Sequence, residues 1–420
     1  MTLLGVLVLA AHHCVAVPPA VQWRVRESAP DCTTAEDCSL NGKCEGGRCI
    51  CSGAWKGDSC EVLRLKDGSP SALGYHGVEK SREGDITSLS SWGGSAHRGK
   101  NGTYHLISSE IGHGVGMTLW NCASRIIHAT SPDPLTQPFV KQRVLFESFA
   151  HEPRCAFNPA GGLVCFFVHN PAFHLNDKCG GANGPTPPAS GCTCAHVAHA
   201  GGMPTMMSYI ADIDDDSAEW SSPQAISVLG DSCDSNISPY IFPNGSLHAL
   251  YRDNAGTNIH VITATDWSKP ASYQLHTDIL RHGMELPEDP FLYRGPDGSW
   301  HSLHHAYPWP DGTHAFSLDG WNWQTFWSCK GTGAVFWKCQ NRTNAAFTGQ
   351  IAFAGAQINA GCRERPSFVF GSDGTTPVAL LNGMSPDPFG VDKQQGNVAS
   401  GSCRYPGHDY AWTSLQPLER

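Results

Sequence analysis

Five times along the chain, a short apolar run ends in a glycine turn and a second apolar run follows. This recurrence constrains the fold more than any single motif does. The units are "WGGSAHRGKNGTYHLISSE" (92–110), "HEPRCAFNPAGGLVCFFVH" (151–169), "ISPYIFPNGSLHALYRD" (237–253), "EDPFLYRGPDGSWHSLHHA" (288–306) and "RERPSFVFGSDGTTPVALLNG" (363–383). Four carry a proline near the start, and each has an Asn-Gly, Gly-Gly or Asp-Gly pair about eight to ten residues later. Such pairs accept positive φ and mark hairpins. The turn glycines Gly102, Gly162, Gly245, Gly298 and Gly374 are 60, 83, 53 and 76 residues apart, room for two further strands in each gap. "SRIIHATS" (124–131), "NIHVITATDW" (258–267) and "THAFSLDGWNW" (313–323) read as such third strands with their turns. Four strands repeated five times predict an all-β fold, a five-bladed β-propeller over residues 75–420. A pair of β-sandwiches with chance turns would leave the fivefold recurrence unexplained.

The composition agrees. The chain has 45 Gly and 29 Pro, and only 16% of its residues are charged, which suits many short strands joined by turns. A net charge of −10 argues against nucleic acid as a partner. The 13 Trp and 10 Tyr are consistent with sugar stacking, although Trp also fills cores. The longest gap holds a Gly-, Pro- and Cys-rich insertion (170–202), expected as a surface loop. Its Cys192, Cys194, His196 and His199 are metal-ligand types, but cysteines of secreted chains more often form disulfides, so no metal is expected there. Cys155 and Cys165 flank a tight turn symmetrically and suggest a cross-strand disulfide.

"LLGVLVLAA" (3–11) is too short to span a bilayer, and Cys14 and Ala16 suit a cleavage site, so residues 1–16 read as a signal peptide despite the missing basic residues. No other run reaches membrane-spanning length. Of 18 cysteines, 17 remain after such cleavage, leaving one thiol free or paired with another chain. That density points to an oxidising, secreted setting, and sequons at Asn101, Asn236, Asn244 and Asn341 fit the same route. Pro239 just after the sequon at Asn236 disfavours that one. The stretch Cys32–Cys60 spaces its cysteines Cys-x5-Cys-x5-Cys-x4-Cys-x-Cys-x8-Cys, too dense for a hydrophobic core, so disulfides must hold it. Spacing alone allows many pairings. The stretch, including "GAWKGDSC" before its last cysteine, closely resembles an epidermal growth factor-like (EGF-like) domain, placed at residues 28–62. The resemblance implies the pairs Cys32–Cys44, Cys38–Cys49 and Cys51–Cys60. It also implies a spacer or a contact for a protein partner. "ESAPDC" lacks the acidic cluster of calcium-binding members, so no calcium is expected there.

In a propeller, residues just before each first strand gather at one end of the central channel. That ring would receive Trp92, His151 with Glu152, Asn236 with Ser238, Glu288 with Asp289, and Arg363, Glu364 and Arg365. Crowded acids shift one another's ionisation, and an acid kept protonated can donate a proton. The pattern resembles the five-bladed propeller glycosidases, such as glycoside hydrolase family 43 and its relatives, over roughly residues 75–420. The resemblance implies a general base from blade one, a general acid from a Glu-x-Pro motif of blade four, and a third carboxylate from blade three. It further implies an inverting mechanism with carboxyl groups about 6.5–9.5 Å apart. Glu288 matches the acid. Blade one has Gly93 and Gly94 where an Asp is expected, and blade three has Ser238 before its proline. Glu152, Asp253, Glu364 and Asp85 are substitutes for the base. The expected catalytic set is therefore Glu288, Asp289, Glu152 and Asp253. Trp92, His151, Arg252, Glu364 and Arg365 are expected to bind substrate. A plainer role competes: Glu288 pairing with Arg365 or Arg252 in an ion network, and His151, His304 and His305 as hydrogen-bonded strand residues. Two functions follow. One is a secreted glycoside hydrolase acting on an extracellular polysaccharide or glycan. The other is a non-catalytic propeller that binds glycans or proteins. No cofactor is implied, and the sequence leaves open a structural calcium in the channel.

Overall fold

The computed structural model describes residues 21–26, 31–66, 73–80, 86–112, 117, 120–170, 203–230, 235–252, 259–276, 287–306, 311–326, 328–330, 341–343, 345–348, 350–353, 356–386 and 411–419. The leader at 1–16, the 171–202 part of the insertion, Asp85 and Asp253 lie outside them. Among the described residues, no helix is long and apolar enough to cross a membrane.

Five antiparallel sheets form the blades. Blade 1 contains Ile86–Arg98, Tyr104–Ile111, Ser124–Ser131 and Val140–Phe146. Blade 2 contains Ala150–Phe157, Leu163–His169, Thr205–Ile210 and Gln224–Ala225. Blade 3 contains Asn236–Ile241, Leu247–Arg252, Ile259–Ala264 and Tyr273–His276. Blade 4 contains Pro287–Arg294, Trp300–Ala306, Gly312–Ser317 and Asn322–Thr325. Blade 5 contains Gln350–Phe353, Ala356–Phe370, Pro377–Pro386 and Trp412–Pro417. The expected hairpins and third strands are all present. In blade 2 it is Gly161, not Gly162, that takes the left-handed turn conformation, with φ 86°. The expected Cys155–Cys165 disulfide bridges facing residues of that hairpin. In "SLDGWNW" the Asp319 carboxylate accepts the backbone N–H groups of Trp321 and Asn322 at 2.8 and 2.7 Å. Trp323 is wholly buried beneath this turn, and its indole N–H donates to the Gly320 carbonyl.

Two early segments lock the ring. Gly74–Tyr75 pairs antiparallel with Trp412–Pro417 and becomes an outer strand of blade 5. The Tyr75 hydroxyl donates to the Glu110 carboxylate of blade 1, which also takes Arg125 at 2.6 Å and Lys141 at 3.0 Å. Glu110 is fully buried, and only this many partners make a buried carboxylate tolerable. Gln22–Val25 adds in parallel to the outer edge of blade 4.

The disulfides Cys32–Cys44, Cys38–Cys49 and Cys51–Cys60 match the pairing that the EGF-like resemblance implied. The module is more than a spacer. Its Trp55, Leu63, Cys38 and Cys60 share one buried cluster with Tyr293 and Leu303 of blade 4 and with Phe368 and Leu380 of blade 5. Too small to enclose a core of its own, it completes one with the propeller.

Candidate functional site

The site is built by one backbone device used four times. The first strands of blades 1, 2, 4 and 5 break register at Trp92–Ser95, His151–Arg154, Glu288–Phe291 and Glu364–Ser367. Each bulge carries a left-handed residue, Gly93 (φ 61°), Glu152 (64°), Asp289 (54°) or Arg365 (54°), and in blade 1 the φ of Gly94 is positive as well, at 139°. The next residue is Gly94, Pro153, Pro290 or Pro366. Proline has no N–H for the ladder, so a bulge accommodates it. For a residue with a side chain, the left-handed conformation costs of order 1–3 kcal/mol and must be held by its surroundings. Here ion pairs hold it. The buried Arg365 guanidinium pairs with Glu152 and lies 3.5 Å from Asp289. The Arg365 backbone N–H donates to Asp289 at 3.0 Å, and the Asn236 amide donates to Glu152.

Beneath this layer Arg154 donates to the carbonyls of Gly94 and Pro366, both at 2.9 Å, tying blade 2 to blades 1 and 5. Burial and the neighbouring Arg365 work against the charge on Arg154, and the Asp289 and Glu152 carboxylates work for it. Above the layer is a more open rim. Glu288 and Glu364 are each 18% exposed at the side chain. Arg252 of blade 3 donates to Glu288 at 2.5 Å. His305 stands between the two glutamates, Nδ1 3.5 Å from Glu288 and Nε2 3.9 Å from Glu364. Burial opposes charge on His305, but Glu364, Glu288 and Asp289 outweigh it and raise the ring to about 9. Glu288 and Glu364 thus stand one imidazole apart, with a cation between them. Of the two expectations for Glu288, crowding by other acids or an ion pair with Arg365 or Arg252, the contacts match the second: Glu288 meets Arg252, with His305 beside it.

Most of the expected residues converge: Glu288, Asp289, Glu152, His151, Arg252, Glu364 and Arg365 all reach this end of the channel. Trp92 does not serve as an open stacking surface. It is 2% exposed and packs with Ile111, Ala123 and Cys362, so close to Gly383 that a Cβ there would come within 2.6 Å of its ring. The space at Gly93, where an Asp was expected, holds the stem of Arg365; a Cβ on Gly93 would meet the Arg365 Cβ at 2.7 Å. In blade 3 the channel residue is Asn236. Ser238 lies further down the strand, where its hydroxyl accepts the Leu292 N–H at 2.8 Å. His151 donates or accepts at Ser124 Oγ, 2.6 Å away. His304 was expected to be hydrogen-bonded, yet neither ring nitrogen has a partner among the described residues. It packs edge-on against Trp23, and burial lowers it to about 3.

Sequence reasoning passed over Trp120. It sits in the short helix Trp120–Ala123, partly exposed, with its ring stacked on His151 at 4.8 Å. It falls between repeat units, so the repeat gave no signal for it. Asp289, His305 and Glu364 bring ligand-type atoms within 4.8 Å of one another. The set does not fit calcium, which prefers oxygen ligands alone: one member is an imidazole, and a guanidinium lies 3.5 Å from Asp289.

Residues 35–63 match a family model described as a Teneurin-like EGF domain. No curated protein is similar in sequence. Among solved structures, the chain is similar to a family 117 glycoside hydrolase of the marine bacterium Zobellia galactanivorans, at 12% identity over 85% of this chain and 90% of that one, with a TM-score of 0.46. It is also similar to an α-L-arabinofuranosidase from Lactobacillus brevis (11% identity, 78% of this chain, 90% of that one, TM-score 0.43). A third is an exo-β-1,3-galactanase from Clostridium thermocellum (12% identity, 81% of this chain, 61% of that one, TM-score 0.42). These are likenesses of fold at low identity.

Proposed function

We propose that the channel mouth binds an extracellular polysaccharide or glycan and hydrolyses a glycosidic bond with two carboxylates, Glu288 and Glu364. The observation that carries this reading is the partly open pair standing one imidazole apart, with His305 at 3.5 and 3.9 Å. Glycoside hydrolysis needs one carboxyl group to protonate the leaving oxygen and another to activate water or attack. The family resemblance implied Glu288 as the proton donor. Its contacts with Arg252 and His305 suit an acceptor better, so we assign Glu288 as the base and Glu364 as the donor, with the charged His305, whose Nε2 is 3.9 Å from Glu364, as the source of the proton that Glu364 passes on. Glu152 and Asp289, both tied to Arg365, then serve to hold the site in shape. The disulfides and the EGF-like domain fit an extracellular setting.

The test is a screen of purified protein on plant, algal and fungal glycans and on aryl glycosides with good leaving groups. Glu364→Gln should lose natural-glycan turnover by about 10²–10⁴ yet keep much of its aryl glycoside activity, because a good leaving group needs little protonation. Glu288→Gln should lose both. The opposite pattern would return the donor role to Glu288, and full activity in both variants would refute the pair. A second reading, a glycan-binding propeller without catalysis, is favoured by Arg365 occupying the space at Gly93, where the blade-one acid is absent. Binding without cleavage by wild type would support it.

A further inference from the structure

We propose that Asn101 and Asn244 are acceptors of N-linked oligosaccharide, both on the face opposite the channel mouth, and that Asn236 is not an acceptor. Three sequons have described side chains: Asn101-Gly-Thr103, Asn236-Ile-Ser238 and Asn244-Gly-Ser246. The fold treats them differently. Asn101 and Asn244 occupy the same place in blades 1 and 3, the tight turn after the first strand, with Gly102 and Gly245 left-handed at φ 94° and 84°. Both asparagines are exposed. The Asn101 side-chain oxygen accepts the Thr103 N–H at 2.7 Å. That of Asn244 accepts the Ser246 N–H at 3.0 Å and its hydroxyl at 2.7 Å. Each amide is thereby turned so that Oδ1 is engaged, and Nδ2 has no hydrogen bond among the described residues.

Asn236 is the reverse. It is 2% exposed in the channel, and its Nδ2 donates to Glu152 while its Oδ1 lies 3.4 Å from the Asp289 N–H. A sugar on that nitrogen would take one of its two N–H hydrogens and force a bulky group in beside the buried Glu152, blocking the channel.

The reaction takes a lipid-diphosphate-linked oligosaccharide from the secretory route. The Asn Nδ2–C1 bond forms, the bond from C1 to the diphosphate oxygen breaks, and an amide proton leaves to the base or the diphosphate. First strands run from the mouth to these turns, so both glycans project from the turn face and leave the rim of Glu288, Glu364 and Arg252 clear.

The experiment secretes the full chain from a eukaryotic cell and treats it with the amidase that leaves Asp at each formerly glycosylated Asn. Peptide mapping should then find Asp at 101 and 244 and Asn at 236. Asn101→Gln and Asn244→Gln should each raise gel mobility by one glycan step. Thr103→Ala and Ser246→Ala should reproduce those steps while keeping the asparagine, and Asn236→Gln should produce none. A glycan on Asn236 overturns the proposal, as does an unmodified Asn101 or Asn244 in the secreted protein.

Discussion

Blade 3 and its neighbours reach the channel by different means. Asn236–Ile241 pairs with Leu247–Arg252 without a break in register, and its channel residue is a neutral amide. The first strands of blades 2, 4 and 5 bulge, and the bulge turns a charged residue inward on a left-handed backbone. Blade 1 bulges too but presents Gly93, whose missing side chain admits Arg365. A regular ladder thus suffices to present an amide. Where a charge is buried, the backbone is bent and the charge is clamped by one of opposite sign. The strain and the ion pairs form one arrangement.

Three experiments can break or sharpen that contrast. The largest effect is expected at Arg365. Arg365→Met removes the cation between Glu152 and Asp289 and should cost about 3–5 kcal/mol in urea unfolding, because two buried carboxylates lose their main partner. Asn236→Ala in blade 3 removes only hydrogen bonds and should cost about 1–3 kcal/mol. Equal losses would mean that clamp and ladder are energetically alike. Gly93→Ala comes next. Its φ of 61° disfavours a side chain and the new Cβ would meet Arg365 at 2.7 Å, so a loss of about 1–3 kcal/mol is expected. A neutral result would show that Arg365 can move away.

The last effect is a dependence on pH that the neighbours His304 and His305 pull in opposite directions. The carboxylates raise His305 from 6.5 to about 9 against the effect of burial, so its contribution is complete below about pH 6.5 and lost as pH rises through about 9. Burial lowers His304 from 6.5 to about 3, so stability in its case is complete above about pH 6.5 and declines as pH falls toward about 3. Denaturation at several pH values should show His305→Asn flattening the alkaline loss alone and His304→Asn flattening the acid loss alone. An unchanged alkaline limb in His305→Asn would contradict the charged state assigned to that ring.

The blade count, the hairpins and the EGF-like pairing were legible in the sequence because period-2 runs, Asn-Gly and Asp-Gly turns and cysteine spacing are local signals. The ring of residues at the mouth was legible too, since the strand starts recur. Partners within the ring were not. Arg252 and Arg365 were both open as partners of Glu288, and the choice of Arg252, like the placing of the Arg365 stem beside Gly93, depends on how the mouths of consecutive blades meet. Trp92 shows the same limit: it precedes a bulge, and one extra residue decides whether a side chain points inward or into the seam. Blade 3 misled for a related reason. Asn236 and Ser238 were both expected in the ring; without a bulge, Asn236 alone takes the channel position and Ser238, aligned on the proline, lies further down the strand.

The strand Gly74–Tyr75 has a consequence for the order of events during synthesis. It leaves the ribosome more than 330 residues before its partner Trp412–Pro417. Until that partner arrives, the Glu110 cluster lacks a settled Tyr75, and the apolar face of the EGF-like domain has no finished blade 5 to cover it. Each blade can form its own hairpins as it emerges, because those contacts are local, but the ring closes through pairings between its two ends, Gly74–Tyr75 with Trp412–Pro417 and Leu65 with Leu418 among them. The nascent protein therefore passes through an open crescent in which Trp55 and Leu63 have only blade 4 against them, and it is in this interval, not in the finished ring, that the chain is most exposed to aggregation.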